Sequence, residues 1–218
     1  MSVWKWYAKA PLAARAAFAF VITASFLAVP ALFDTAVYHA VYHKDIYALD
    51  WARLLRVQGF LPTWWIVALA MWLVEREQDA ARAARRAWLL AASPALAGLL
   101  CEVLKLVIRR ERPAPFDGEW IFRPFSEHPW STGGLATPSS HTMVAFGAAT
   151  MLARLFPRAR WVFYGLAWGC GATRVLDRAH FFSDVTFGAI LGWAVAWGLW
   201  IEWGTDASVR RGSNDAAG

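Results

Sequence analysis

The chain has 218 residues, a length that fits one domain, and 58% of them are hydrophobic while only 17% are charged. A soluble domain carries nearer to about a quarter charged residues, so this composition argues against an ordinary soluble protein and predicts a membrane protein. The formal net charge is +6, but no Arg- and Lys-rich tract with interleaved aromatics is present, which argues against nucleic acid as a partner.

Apolar runs recur along the whole chain, and we interpret them as helices that cross a lipid bilayer. They predict an all-α, polytopic membrane protein with one integral-membrane domain over residues 1–218 and six transmembrane helices. The first run follows basic residues, as in a signal peptide, but it is longer than a typical signal core and has no clean cleavage site, so we expect it to be retained. The six runs are residues 16–33, 58–75, 88–107, 141–156, 159–175 and 185–203.

Residues 34–57 are mixed in polarity. Apolar side chains around Trp51 predict a short interfacial helix lying along the membrane surface, and an ordinary connecting loop is the alternative. His39 and His43 are four residues apart, but no acidic or Cys partner stands at ligand spacing. We therefore expect both to be interfacial side chains and not metal ligands.

Three short polar clusters interrupt the apolar sequence, at residues 105–113, 138–141 and 173–184. Ionisable side chains at membrane depth are energetically costly and usually mark function. Together the clusters offer cations, two histidines and a carboxylate. A phosphoryl group needs such a set: positive charge for its oxygens, a nucleophile, and an acid for the leaving group.

The first cluster ends the third apolar run. Lys105 and Arg112 are seven residues apart, which is about two helical turns, so they share a face if the helix continues. We interpret them as phosphate cations, and the alternative for Lys105 is a side chain that snorkels to the lipid headgroups. Arg109, Arg110 and Glu111 are interpreted as headgroup contacts or simple solvated charge.

The second cluster stands where the fourth run begins. Serines before an apolar run predict a helix N-cap, and the free N–H groups of a helix N-terminus suit an anion. Ser139 and Ser140 add hydroxyl donors, and His141 falls on the first turn. The alternative is a pair of capping serines beside an incidental histidine.

The third cluster pairs a histidine with a carboxylate. His180 and Asp184 are four residues apart, so on a helix the carboxylate accepts from one ring nitrogen and leaves the other one basic. This is the arrangement of a nucleophile or base with its orienting group. The planar guanidinium group of Arg174 can donate hydrogen bonds to phosphate oxygens. Asp177 and Arg178 are expected to form a local ion pair.

Arg and Lys set the predicted orientation. With six crossings both termini share a side, which collects twelve Arg and Lys, against seven on the other side once the three cations of the clusters are set aside. The positive-inside rule then predicts cytoplasmic termini. It also places all three clusters at the outer face.

These clusters resemble the three-part signature of the type 2 phosphatidic acid phosphatase superfamily. Its pattern is Lys, six residues, Arg-Pro; then Pro-Ser-Gly-His; then Ser-Arg, five residues, His, three residues, Asp. The matching positions at the spacing of the family are Lys105, Arg112, Pro113, Pro138, Ser139, His141, Arg174, His180 and Asp184.

Two positions depart from the pattern of the family. Ser140 replaces the usual glycine, which makes the backbone less free but keeps the N–H that would face a phosphate. Thr173 replaces the usual serine and keeps a hydroxyl. We expect phosphate binding to survive both changes.

The resemblance implies a membrane lipid phosphatase with a phosphohistidine intermediate. His180 would attack the phosphorus, Asp184 would orient it, and His141 would protonate the leaving oxygen and then activate water. No metal or other cofactor is implied, because fixed cations take its place. The groups that would hold the phosphoryl oxygens are those of Lys105, Arg112, Ser139, Ser140 and Arg174.

The implied substrate is a lipid phosphate, reached from the bilayer of a bacterial inner membrane with the site facing the periplasm. An isoprenoid diphosphate such as undecaprenyl diphosphate, or phosphatidylglycerophosphate or phosphatidic acid, is favoured. The alternatives are a lipid A phosphatase, a lipid-to-lipid phosphotransferase, a vanadate-dependent haloperoxidase, whose known relatives are soluble, and a non-catalytic scaffold, which would predict decayed clusters. Headgroup selection is expected in residues 114–137, with Phe122, Arg123, Phe125, His128 and Trp130 as lining residues.

Overall fold

The computed structural model describes residues 11 and 28–204, and in this part of the chain the regular structure is helical. A long irregular segment follows α4 and carries one short 3-10 helix, Ala114–Phe116, and two isolated bridges, Arg110 with Phe122 and Glu111 with Leu135. The all-α prediction is therefore confirmed for the described residues. Their α-helices are α1 (Asp34–Ala40), α2 (Asp50–Val57), α3 (Leu61–Glu75), α4 (Ala80–Ile108), α5 (Ser140–Leu155), α6 (Arg160–Leu176) and α7 (Phe182–Trp203).

Helix α5 is the centre of the bundle and packs against α4, α6 and α7. Every side chain from Thr142 to Ala153 is buried, because the helix is apolar or small around its whole circumference. Its partners face it mainly with apolar side chains, and the buried Ser93 of α4 donates to the carbonyl oxygen of Gly147 at 2.8 Å. The first turn of α5, which carries the second polar cluster, is thus held from three sides.

Glycines on α7 let it approach the start of α5 closely. A Cβ added at Gly192 would lie 2.3 Å from the carbonyl oxygen of Met143, and one added at Gly188 would lie 2.8 Å from that of Ser139. Small residues at a helix contact allow the two backbones to meet in this way. The contact fixes the N-terminus of α5 against the first turns of α7, where the third cluster lies.

We expect Gly192→Ala to lower the stability of the bundle, because the new methyl group must push α5 and α7 apart. Overpacking of this kind costs about 1–3 kcal/mol. Gly198→Ala on the same helix is the matched control, since among the described residues nothing beyond the nearby backbone of α7 itself lies within 4 Å of a Cβ added there. Thermal unfolding in detergent should show a clear loss for the first variant and none for the second. Equal midpoints for the two variants would contradict this account of the contact.

Two helices of the described residues are long and apolar enough to cross a membrane, α4 and α7. A third span results if α2 and α3 count as one, although their axes are bent by 70° at the break. Helices α5 and α6 have 16 and 17 residues, and at about 1.5 Å per residue they fall short of a hydrocarbon core of about 30 Å. Residues 16–27 of the first predicted run lie outside the described residues. The count of six crossings therefore stays a prediction.

The predicted interfacial helix corresponds to α2, which has exposed Trp51 and Leu54 on one side and packs against α6 on the other. The chain turns sharply after it and enters α3. A Cβ added at Gly59, in this turn, would lie 2.6 Å from the Cβ of His141. Gly59 thus packs directly on the start of α5.

Candidate active site

Lys105 joins the first cluster to the second. It lies in the last turn of α4, is only 4% exposed, and its Nζ donates to Ser140 Oγ at 3.3 Å and to Glu102 Oε1 at 3.1 Å. A lysine that snorkels would place its ammonium in the headgroup layer instead. The burial and the contact with Ser140 favour the interpretation as a site cation.

Ser139 joins the second cluster to the third. It occupies the N-cap position of α5, but its side chain makes no capping hydrogen bond, so that part of the serine prediction is wrong. Its Oγ instead lies 3.1 Å from Thr142 Oγ1, and its N–H donates to the carbonyl oxygen of Asp184 at 3.1 Å. The N–H groups of the first helical turn, which have no partner within the helix, are left for an anion.

His180 lies in the tight connection between α6 and α7 and is 2% exposed. Its Nδ1 is 3.7 Å from Asp184 Oδ2, just beyond hydrogen-bond length, and has no other partner in the described part of the chain. Burial lowers the pKa of His180 to about 4. The imidazole is therefore neutral near pH 7, which is the state that a nucleophile requires.

Arg112 of the first cluster and Arg174 of the third lie near this histidine. Their charges both act on His180, so the three side chains are neighbours, and we call the space that they border the pocket. The Nε atoms of both arginines are buried and have no hydrogen-bond partner among the residues that the structure describes. Buried polar groups are normally paired, so these two N–H groups fit a pocket that receives an anion.

His141 lies in the same pocket, on the first turn of α5. Its side chain is partly exposed, unlike that of His180. The groups whose charges act on it come from four different segments and are Arg174, His180, Arg56 and Lys105. The two histidines that the sequence singled out therefore belong to one site.

Arg174 has two further contacts at the edge of the pocket. Its Nη1 donates to the hydroxyl of Tyr47 at 2.6 Å and lies 3.5 Å from Asp177 Oδ2. Arg178, the expected partner of Asp177, instead donates to the carbonyl oxygen of Tyr38 at 3.2 Å. The predicted Asp177–Arg178 pair is thus wrong, because Asp177, the residue that follows α6, lies about one turn beyond Arg174 and faces it.

Arg109 and Glu111 are not the solvated charges that we expected. Arg109 is 1% exposed, with its backbone in the left-handed region at φ 58°, and Glu111 binds Arg123 at 2.6 Å. The segment after α4 folds back over this helix end, and the guanidinium of Arg109 satisfies its carbonyl groups. The carbonyls that accept from it belong to Arg123 (3.0 Å), Pro124 (2.9 Å), Glu127 (2.5 Å) and Pro129 (3.3 Å).

Arg110 is also buried, and it binds Asp184. Its Nη2 donates to Asp184 Oδ1 and to Ser183 Oγ, its Nε to Thr137 Oγ1 at 2.7 Å, and its Nη1 to Asp34 Oδ2 at 3.3 Å. The expectation of a headgroup or solvent contact was wrong here too, because the residue points inward from the turn after α4. Sequence reasoning missed this network altogether.

Arg56 is a further cation that the sequence analysis did not single out. It lies on α2, its guanidinium carbon is 4.5 Å from the centre of the Tyr47 ring, and its charge acts on both His141 and Arg112. The side chain is exposed at the rim of the pocket. The N-terminal part of the chain therefore contributes positive charge to a site whose other cations come from α4 onward.

No three His, Cys, Asp or Glu side chains in the described part of the chain are grouped so that they could hold a metal ion. The groups available to an anion are N–H donors, hydroxyls and cations. Among the residues that were expected to line a headgroup site, Arg123 is occupied by Glu111, while Phe125 and Trp130 are exposed.

The sequence model of the PAP2 superfamily, the type 2 phosphatidic acid phosphatases, matches residues 86–206. The match covers more than half of the chain. The chain belongs to the PAP2 superfamily. The matched region holds all three polar clusters, whereas Asp34, Tyr47 and Arg56 of this superfamily member lie before it.

Two curated proteins named lipid A 1-phosphatase, from Rhizobium johnstonii and Rhizobium etli, are similar to part of this superfamily member. Each is 43% identical over 99 residues, which is 44% of this chain and 38% and 40% of the two relatives. The chain thus spans about two fifths of the length of the curated relatives it matches. No solved structure matches it significantly.

Proposed function

We propose that this protein is a membrane lipid phosphatase that works through a phosphohistidine. The observation that carries the proposal is that Arg112 and Arg174 lie near a buried, neutral His180, while Lys105 contacts Ser140 and acts on the neighbouring His141. A tetrahedral dianion is the ligand that such a set of cations and N–H groups fits best. Membership in the PAP2 superfamily supports the same reaction class.

In the proposed first step, Nε2 of His180 attacks the phosphorus. A P–N bond forms as the P–O bond to the lipid breaks, and the leaving oxygen takes a proton from His141. Asp184, 3.7 Å from Nδ1 of His180, stabilises the positive charge that develops on the ring. The three cations and the N-terminus of α5 hold the phosphoryl oxygens.

In the second step, water attacks the phosphohistidine. His141 accepts a proton from that water, the P–N bond breaks, and inorganic phosphate leaves with His180 returned to its neutral form. Neither step requires a metal ion, because fixed cations neutralise the phosphoryl charge. If a second lipid replaced the water, the same site would act as a phosphotransferase.

Lipid A 1-phosphate is the first substrate to test, because both curated relatives carry that activity in their names. Isoprenoid diphosphates, phosphatidylglycerophosphate and phosphatidic acid follow, as the sequence resemblance implies. We place the protein in a bacterial inner membrane, with cytoplasmic termini and the site at the periplasmic face. The apolar helices support the proposed membrane location, and the distribution of Arg and Lys supports the proposed orientation.

The test is phosphate release by the purified protein in detergent against this panel of lipid phosphates, with and without EDTA. We expect release from at least one of the lipids and no effect of the chelator. Activity that EDTA removes and a divalent cation restores would contradict the metal-free scheme. Label that moves from the substrate to a second lipid, and not to solution, would assign the phosphotransferase instead.

Arg56 should matter for binding and little for chemistry. We expect Arg56→Gln to raise KM about fivefold at low salt, with less effect at high salt, because an exposed charge at the rim attracts the anionic headgroup. Arg53→Gln on the same helix is the matched control, since Arg53 is paired with Asp50 in solvent. Steady-state kinetics at two ionic strengths measure the effect. A fall in kcat with unchanged KM would place Arg56 in the chemical step.

A further inference from the structure

The carboxylate beside His180 belongs to a buried network of charges and hydroxyls. Asp184 Oδ2 accepts from the N–H of Phe181 at 2.8 Å and faces His180, while Asp184 Oδ1 accepts from Arg110 and from Thr137. Oδ2 thus faces the histidine, and Oδ1, on the other side of the carboxylate, is held by Arg110 and Thr137. Neither Arg110 nor Thr137 is part of the three-part signature.

Each of the two hydroxyls in the network accepts one hydrogen bond and donates another. Thr137 Oγ1 accepts from Arg110 Nε and donates to Asp184. Ser183 Oγ accepts from Arg110 Nη2 at 2.8 Å and donates to Asp34 Oδ2 at 2.6 Å. A hydroxyl has one proton, so these donor and acceptor assignments leave no conflict. The arrangement is therefore fixed and resists rotation of any one member.

Aromatic rings also hold Arg110 in place. Its guanidinium carbon lies 4.9 Å from the centre of the Trp120 ring and 4.7 Å from that of Phe181. Cation–π contacts of this kind favour a flat guanidinium between rings, with its donors free to bind in the plane. A lysine could not reproduce this geometry, since it has neither the planar fork nor the stacking surface.

Asp34 connects the network to a helix outside the region that the family model matches. It is 1% exposed, its Oδ1 accepts from the N–H of Ser183 at 2.8 Å, and its Oδ2 accepts from Arg110. The carboxylate of Asp34 thus accepts a hydrogen bond from an N–H group in the first turn of α7. This contact stabilises the turn that follows His180. A buried carboxylate is costly unless it is paired in this way.

We propose that Arg110 and Asp34 are positioning residues that hold Asp184 so that its second oxygen faces His180. The proposal rests on the proposed function, in which His180 is the nucleophile. Arg110 fixes Asp184 directly, and Asp34 fixes both Arg110 and the first turn of α7. Helix α1, which carries Asp34, then helps to position the catalytic groups although it lies before the region that the family model matches.

Kinetic constants separate positioning from phosphate binding. We expect Arg110→Gln and Asp34→Asn to lower kcat about tenfold to a hundredfold with KM within about twofold, because misplacing a reacting group by about 1 Å has an effect of that size. Lys105, Arg112 and Arg174 would still bind the phosphate. An unchanged kcat in folded protein for both variants would overturn the proposal.

A double-mutant cycle distinguishes positioning from a general structural role. In an Asp184→Asn background, Arg110→Gln should cost less than about threefold in kcat, because the carboxylate that it orients is already gone. Full additivity of the two losses would overturn the proposal. Ser183→Ala, which removes one hydroxyl and no charge, gives the same test if Arg110→Gln does not fold.

Glu111→Gln is the matched control for damage to the loop. It breaks the neighbouring ion pair with Arg123, whose atoms lie 2.6 Å apart, without touching Asp184. It should lower the unfolding midpoint in detergent and leave kcat unchanged. If Glu111→Gln lowered kcat as much as Arg110→Gln does, the effect of Arg110 would come from stabilising the loop and not from positioning Asp184, and the proposal would be overturned. If the wild-type protein released phosphate from no lipid on the panel, the proposed function would fail before any variant was compared.

Discussion

The variant His180→Ala should release no lipid phosphate while it still folds and inserts into the membrane. Removing a nucleophile from a preorganised site costs at least about 10⁴-fold in kcat, because the remaining groups cannot form the covalent intermediate. The pocket would keep its three cations and should still bind the substrate. Phosphate release by purified variant and wild-type protein, at matched amounts of folded protein, measures the loss.

Labelling tests the intermediate itself. Wild-type protein quenched during turnover of a ³²P-labelled lipid should carry label that acid removes and alkali does not, as expected for a phosphorus–nitrogen bond. The His180→Ala protein should carry none. His43→Ala is the control, since His43 is exposed and its Nδ1 lies 2.9 Å from the carbonyl oxygen of the adjacent Lys44. Full turnover by His180→Ala would rule out the assignment of the nucleophile.

The positions of the helices could be predicted largely from sequence, because a helix that faces lipid or the inside of a bundle must be apolar along its length. The run at residues 141–156 corresponds to α5, Ser140–Leu155, and the run at residues 185–203 falls within α7. The number of crossings could not be predicted as safely. A helix such as α5 is shielded by its neighbours, so its length need not match the bilayer.

The convergence of the three clusters was also predictable, because each lies at an end of an apolar run and the runs alternate in direction. The inward turn of Arg109 and Arg110 was not. Both follow the last residue of α4, and the left-handed backbone at Arg109 sends the chain back over the helix end. No local pattern gives that direction. It depends on carbonyl groups 14 to 20 residues further along the chain.

Arg56, Tyr47 and Asp34 were missed for a related reason. They lie in the mixed segment before α3, where the polar residues look like ordinary surface positions. Their contacts reach partners more than 70 residues away, such as Arg110 for Asp34 and Arg174 for Tyr47. One signal was present in the sequence: an aspartate directly after an apolar run, which is costly at that depth unless it is paired.

His141 can be tested separately from His180 through the leaving group. On a lipid phosphate, whose alkoxide leaves poorly, we expect His141→Ala to lower kcat about 10²- to 10⁴-fold, the usual contribution of a general acid. On 4-nitrophenyl phosphate the leaving group needs no proton, so the first step should stay fast. Hydrolysis of the phosphohistidine should then be slow, because no base activates the water.

The expected result is a burst of nitrophenol equal to the amount of enzyme, followed by slow turnover, with phosphorylated protein accumulating. Loss of the side chain should leave the position of α5 intact, because the turn at Gly59 packs against the backbone of His141 and the Cys170 thiol donates to its carbonyl oxygen. A first turnover slowed equally on both substrates would contradict the assignment of the acid. In that case only His180 would take part in the chemical steps, and His141 would be a residue that binds the phosphate.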